Sequence, residues 1–164
     1  MIKVGLVGAR SKSTILGFKA MADKVVIAAV CDLDEDTAKK IAADHNIPKY
    51  YRVYEDMLES DIDALVISTP MQLHVPQAIL ALQAGKHVLS EVTAGVTMDE
   101  LWWLIESVEA SGKTYMMAEN YCYIPQNPLI GEMVRAGLFG DIYFGEGEYL
   151  HCINDMLLTN KGRP

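Results

Sequence analysis

The chain has 164 residues, 51% of them hydrophobic and 22% charged, and a formal net charge of −8. That is the balance of a globular domain long enough to build a core, not of a disordered chain. With no basic cluster and no apolar run of membrane-spanning length, it excludes the usual nucleic-acid binder and argues against a membrane protein. The chain opens directly into an apolar strand, so no secretory signal is read. Cys31, Cys122 and Cys152 are scattered without a C-x-x-C, which fits reduced thiols in a cytoplasmic protein.

Ile2 to Val7 is short, apolar and β-branched, the pattern of a strand buried on both faces in a parallel sheet. Gly8 stops it, and Ser11, Ser13 or Thr14 can cap a helix running to about Met21. A strand, a glycine turn and a helix N-terminus gather main-chain N–H groups where a pyrophosphate can sit. Val25 to Val30 is a second strand ending at Cys31-Asp32. An acidic residue about 20–25 positions past the first glycine can hold the hydroxyls of an adenosine ribose. Of the pattern G-x-G-x-x-G the chain offers Gly8, Arg10 and Ser13. The tight turn is kept, the second glycine is lost to a long side chain, and Ser13 is a mild replacement. The loop alone fits a plain strand–turn–helix as well as a nucleotide site. Arg10 or Lys12 can supply charge to phosphates where glycines no longer supply backbone.

Asp34 to His45 reads as an amphipathic helix, Tyr50-Tyr51 as a short strand, Tyr54 to Leu58 as a short helix and Ala64 to Ser68 as a buried strand. Gln72 to Ala84 is a helix with Gly85 as its cap, His87 to Glu91 a strand, Met98 to Ser111 a helix stopped by Gly112, and Thr114 to Ala118 a strand. This alternation predicts a Rossmann-type α/β fold, a doubly wound parallel sheet with right-handed crossovers. Its strand ends carry Gly8, Arg10, Asp32, Ser68, Thr69, Pro70, Glu91, Glu119 and Asn120, polar groups where such sheets bind ligands.

After Tyr123 the pattern changes, so residues 1–123 are expected to form one domain and 124–164 the linker, helix and first strand of a second α/β domain. Pro125 and Pro128 bracket the linker, Leu129 to Ala136 is a short helix, and Ile142 to Cys152 alternates like a long strand. Nothing later in the chain is suited to pair with that strand, which suggests a polypeptide stopping just inside its second domain.

The run Ile67-Ser68-Thr69-Pro70, His74, then Ala78 through Gly85-Lys86-His87-Val88-Leu89 resembles the Gfo/Idh/MocA oxidoreductases, and the resemblance covers essentially the whole chain. It implies a dinucleotide, NAD rather than NADP because of Asp32, with Thr69-Pro70 and His74 lying along it. The family's Glu-Lys-Pro motif falls on Glu91, Val92 and Thr93. The glutamate, near the nicotinamide in the family, is kept; valine cannot donate a proton as the lysine does, a departure from ordinary polyol dehydrogenase chemistry.

Glu91-Val92, Trp102, the run Met116 to Tyr123, Gly137 to Gly140 and Glu148 to His151 are similar to a narrower branch, the NAD-dependent α-N-acetylgalactosaminidases and their relatives. There NAD transiently oxidises the sugar at C3, elimination breaks the glycosidic bond, and the hydride is returned, outside the two-carboxylate scheme. His151 best matches a catalytic position of that branch, with Tyr121 and Asn120 facing the same pocket. The resemblance implies hydride transfer with a sugar-like substrate, as net oxidation or redox-assisted glycoside cleavage, in a homo-oligomer. This stretch by itself is expected to bind dinucleotide at most, weakly and without turnover.

Blander readings stand beside these. His151 fits a structural or solvent-facing histidine, His74 a surface residue, Trp102-Trp103 packing and Met116-Met117 core. Glu91 and Glu119 fit an acid pair, and equally two ordinary strand-end carboxylates. The four histidines lack metal-ligand spacing and no serine nucleophile motif is present. A non-catalytic dinucleotide-binding or sensor module is the alternative to an enzyme.

Overall fold

A computed structural model of the chain describes residues 1–8, 12–150 and 152. It divides into two compact units, Met1–Glu119 and Asn120–Pro164. In the first unit β1 (Ile2–Val7), α1 (Lys12–Ala20), β2 (Val25–Cys31), α2 (Glu35–His45), β3 (Lys49–Tyr51), α3 (Tyr54–Leu58) and β4 (Ala64–Ile67) follow in turn. They are followed by a 3-10 turn (Met71–Leu73), α4 (His74–Gln83), β5 (His87–Ser90), α5 (Met98–Ser111) and β6 (Tyr115–Met117). The six strands form one sheet in the order β3-β2-β1-β4-β5-β6. Every pairing is parallel. This is the doubly wound Rossmann-type α/β sheet, with its switch point between β1 and β4.

Strand alternation feeds two cores. Val4 and Leu6 of β1, Val30 of β2 and Val66 of β4 share one face with Ile15 of α1 and Ala42 of α2. Val7, Ala29, Cys31, Leu65 and Ile67 point to the other, under Tyr54 and Met57 of α3 and Val75, Ala78 and Leu82 of α4. Gly5 belongs to this second face. A Cβ there would stand 3.0 Å from Ile62 Cδ1 and 3.2 Å from Met57 Sδ, so its bareness admits α3. Both ends of α5 follow its sequence. Thr97 Oγ1 accepts from Glu100 N–H and Glu100 Oε2 accepts from Thr97 N–H, a reciprocal cap on α5. Gly112 ends α5 at φ 63°.

Several expectations are corrected. Ser13 and Thr14 lie inside α1 rather than capping it; Ser11 lies outside the described residues. Gly85, at φ 74°, follows the cap residue Ala84. Trp102 and Trp103 are 58% and 56% exposed, because α5 buries the seam through Leu104 and turns these two away from it. Met116 and Met117 are also largely exposed, since β6 is a three-residue edge strand paired only with β5.

In the second unit a 3-10 turn (Tyr121–Tyr123) precedes α6 (Gln126–Arg135). The helix starts before Leu129 and takes in Pro128, because the first turn needs no N–H from that position. Residues 142–150 alternate in polarity yet form no strand. Alternation specifies a strand only where a neighbouring strand supplies the ladder, and among the described residues this unit has none.

Candidate functional site at the carboxyl rim of the sheet

The residue leaving each strand is fixed to the end of the next by a main-chain bond. Asp32 N–H donates to Tyr51 O (3.2 Å), Gly8 to Cys31 O (2.9 Å), Ser68 to Val7 O (2.8 Å), Glu91 to Ile67 O (2.9 Å) and Ala118 to Ser90 O (2.7 Å). These bonds align Asp32, Gly8, Ser68 and Glu91 along the rim where doubly wound sheets bind ligands.

At the switch point Gly8 has φ 84°, and a Cβ on it would stand 2.6 Å from Ser68 O. The turn after β1 therefore passes against the end of β4 with no room for a side chain. Ser68 Oγ beside it is buried and has no hydrogen-bond partner among the described residues. Buried hydroxyls are normally hydrogen-bonded, so this one is placed to take a further partner at the rim. One strand away, Asp32 is half-buried and its Oδ1 accepts the Asp34 N–H at 2.9 Å, which fixes the carboxylate at the start of α2. Under this rim the Cys31 thiol is pushed up to about 11, first by burial and then by the Asp32 carboxylate, so it stays protonated and unreactive near neutrality.

The β4 loop is held from α3 and α4. Thr69 Oγ1 donates to Gln77 Oε1 (2.6 Å), while Gln77 O accepts from the Tyr54 hydroxyl (2.7 Å). His74 is 1% exposed, which overturns the surface reading. Its Nδ1 lies 2.8 Å from Thr93 O and its Nε2 2.8 Å from Thr69 O, so both ring nitrogens are turned to protein carbonyls. Glu91 is half-buried and Val92 is 39% exposed beside it. The Val92–Thr93 peptide bond is cis.

Arg10, Ser11 and His151 lie outside the described residues. Ser13 is exposed on the first turn of α1, and Pro70 is exposed on the β4 loop. Asn120 and Tyr121 belong to the second unit. There the Tyr121 ring meets Tyr149 edge-on, with centroids 5.0 Å apart at 74°, and Asn127 Nδ2 donates to Tyr121 O at 2.6 Å. Tyr54 and Gln77 were missed in the sequence, and Thr93 was reached only as the third position of the family motif, without its tie to His74. The one available signal was that His74 and Gln77 stand three residues apart, on one face of a helix. A groove of about 480 Å³ between α4 and α5 lies at the other end of the sheet, beside Gly85 and Ser111. Among the described residues no His, Cys, Asp or Glu cluster is placed to hold a metal ion, and no helix is long and apolar enough to cross a membrane.

Residues 2–119 match the family model GFO_IDH_MocA, described as an oxidoreductase family with an NAD-binding Rossmann fold. A glycosyl hydrolase family 109 protein of Shewanella amazonensis is 38% identical over 92% of this chain and 35% of its own length. One of Saccharopolyspora erythraea is 34% identical over 96% of this chain and 37% of its own. The chain thus spans about a third of the curated relatives it matches. Among solved structures, the WlbA dehydrogenase of Bordetella pertussis, in complex with NADH and UDP-GlcNAcA, superposes with TM-score 0.83 at 28% identity, over 87% of this chain and 44% of that one. A levoglucosan dehydrogenase in complex with NADH and levoglucosan gives TM-score 0.79 at 25% identity, over 86% of this chain and 41% of that one.

Proposed function

This chain belongs to the Gfo/Idh/MocA oxidoreductase family, and from that premise we propose that its first unit binds NAD along the carboxyl rim of the sheet. The observation that carries the reading is Gly8 pressed against Ser68 O, beside a buried Ser68 Oγ that has no partner among the described residues. A pyrophosphate on the Gly8 turn would meet backbone rather than a Cβ, and Ser68 Oγ could donate to it. Asp32 would take the adenosine ribose hydroxyls, and its charge disfavours a 2′-phosphate. Three strand steps separate Asp32 from Glu91, about 14 Å at ordinary strand spacing, so Glu91 would stand toward the nicotinamide end. Arg10, Ser11, Ser13, Thr69 and Pro70 are the further candidates along the dinucleotide.

Bound NAD would supply a hydride acceptor at the nicotinamide ring. The complete protein would use it on a carbon of a sugar or sugar derivative. Support comes from the family and from structural relatives holding NADH together with UDP-GlcNAcA or levoglucosan. Asn120, Tyr121 and His151 are the chain's candidates for the substrate side, His151 and Tyr121 as proton-handling groups. Val92 favours a second outcome for the same chemistry: it removes the amine that would serve net dehydrogenation, and the family 109 relatives support a transient oxidation that ends in glycoside cleavage.

Calorimetric titration with NAD and NADP tests the binding reading. Saturable NAD binding is expected, with Asp32→Ala weakening it about tenfold, equivalent to about 1.4 kcal/mol, and narrowing the margin over NADP. Failure of both nucleotides to bind would sink it. For the protein extended as in its relatives, net oxidation would accumulate NADH absorbance. Glycoside cleavage would instead release the leaving group without NADH and introduce solvent deuterium at sugar C2.

A further inference from the structure

We propose that His74 is a positioning residue that ties the two loops of the rim together, donating a proton from each ring nitrogen to a different main-chain carbonyl. The proposal rests on the reading of the rim as the NAD site. Both acceptors, Thr69 O and Thr93 O, are carbonyl oxygens 2.8 Å from the ring, and carbonyls only accept. A neutral imidazole has one N–H and would leave a nitrogen lone pair against the second oxygen. A ring protonated on both nitrogens satisfies both contacts.

Each tethered loop is fixed a second time. Thr69 is also held through its hydroxyl by Gln77, one turn further along α4. At the other loop, Glu91 N–H is anchored on Ile67 O and Thr93 O on His74, so Val92 sits between two fixed points. Beyond Thr93 the chain lies flat on the helices. A Cβ on Gly95 would stand 3.0 Å from Val75 Cγ2 and 3.1 Å from Leu101 Cδ2. His74 thereby sets the gap between the Thr69-Pro70 loop and the Glu91-Val92 segment. No part of its ring is left over to touch a ligand, because it is 1% exposed.

The test uses the whole chain, labelled with nitrogen-15, with His74→Gln and His74→Phe. In the wild type the ring spectrum should show both His74 nitrogens protonated. In His74→Phe the amide signals of Glu91, Val92 and Thr93 should move while those of Val30 and Leu65 stay in place. NADH affinity, read by fluorescence, should fall tenfold or more. His74→Gln keeps a donor and should recover part of that loss. A His74 ring with one bare nitrogen would overturn the proposal, as would unmoved signals at residues 91–93 in a folded variant. If His74→Phe does not fold, the wild-type ring spectrum and His74→Gln decide. If the wild type binds no NADH, the NAD reading of the rim fails, and the spectra alone still decide whether His74 bridges the loops.

Discussion

In Met1–Glu119 the apolar residues of β1, β2 and β4 point alternately up and down and are covered on both sides; among the described residues of Asn120–Pro164 none is buried. Yet α6 carries as plain an apolar stripe as any helix of the first unit, through Leu129, Ile130 and Val134, and all three are exposed. Periodicity therefore decides which element forms, and only a second apolar surface turns that element into core. In the first unit the sheet is that surface for five helices at once.

Single truncations should expose the difference. Leu65→Ala, at a fully buried site between the sheet and its helices, should cost about 2–5 kcal/mol in urea unfolding. Ile130→Ala, on the open stripe of α6, should cost about 0.5 kcal/mol or less. Equal costs would erase the distinction between the units. Next in size, Gly8→Ala should reduce NADH affinity about a hundredfold, or about 2.7 kcal/mol, because the new methyl must displace the Ser68 carbonyl. An unchanged affinity would remove the switch point from the site.

A further effect concerns the thiols. Burial raises Cys31 to about 11, whereas an unfolded thiol titrates near about 8.5. The folded state holds this proton more tightly. Its contribution is thus complete below the unfolded value and is lost as pH rises through that value toward about 11. The urea midpoint should decline over this alkaline window, and less so in Cys31→Ala. Exposed Cys122 and Cys152 should react with a thiol reagent at once, and Cys31 only on unfolding. Equal labelling rates would contradict a sealed core beneath the rim.

The sheet was legible because its central strands β1, β2 and β4 are apolar towards both faces and their stops are glycine, acid or proline. Gly8, Asp32, Ser68 and Glu91 were legible for a related reason: a polar residue directly after a buried strand has the rim as its destination. Trp102-Trp103 and Met116-Met117 misled, because hydrophobicity reports a tendency to be covered and not whether a cover is at hand. His74 misled in the opposite sense. Its burial depends on Thr93, nineteen positions away along the chain, swinging back over α4. No local pattern encodes that meeting. The stretch 142–150 shows the same limit for strands, since alternation without a neighbour remains a pattern.

The main-chain bonds that step from Tyr51 to Asp32, Cys31 to Gly8, Val7 to Ser68, Ile67 to Glu91 and Ser90 to Ala118 involve no side chain. The frame is consequently indifferent to most of the identities it displays. Asp32, Ser68 or Glu91 can be exchanged for another polar residue and the newcomer will occupy the same berth, whereas Gly8 cannot, because its berth is already filled by its neighbour's carbonyl. Evolution of new specificity on such a scaffold can proceed one berth at a time with the architecture left in place.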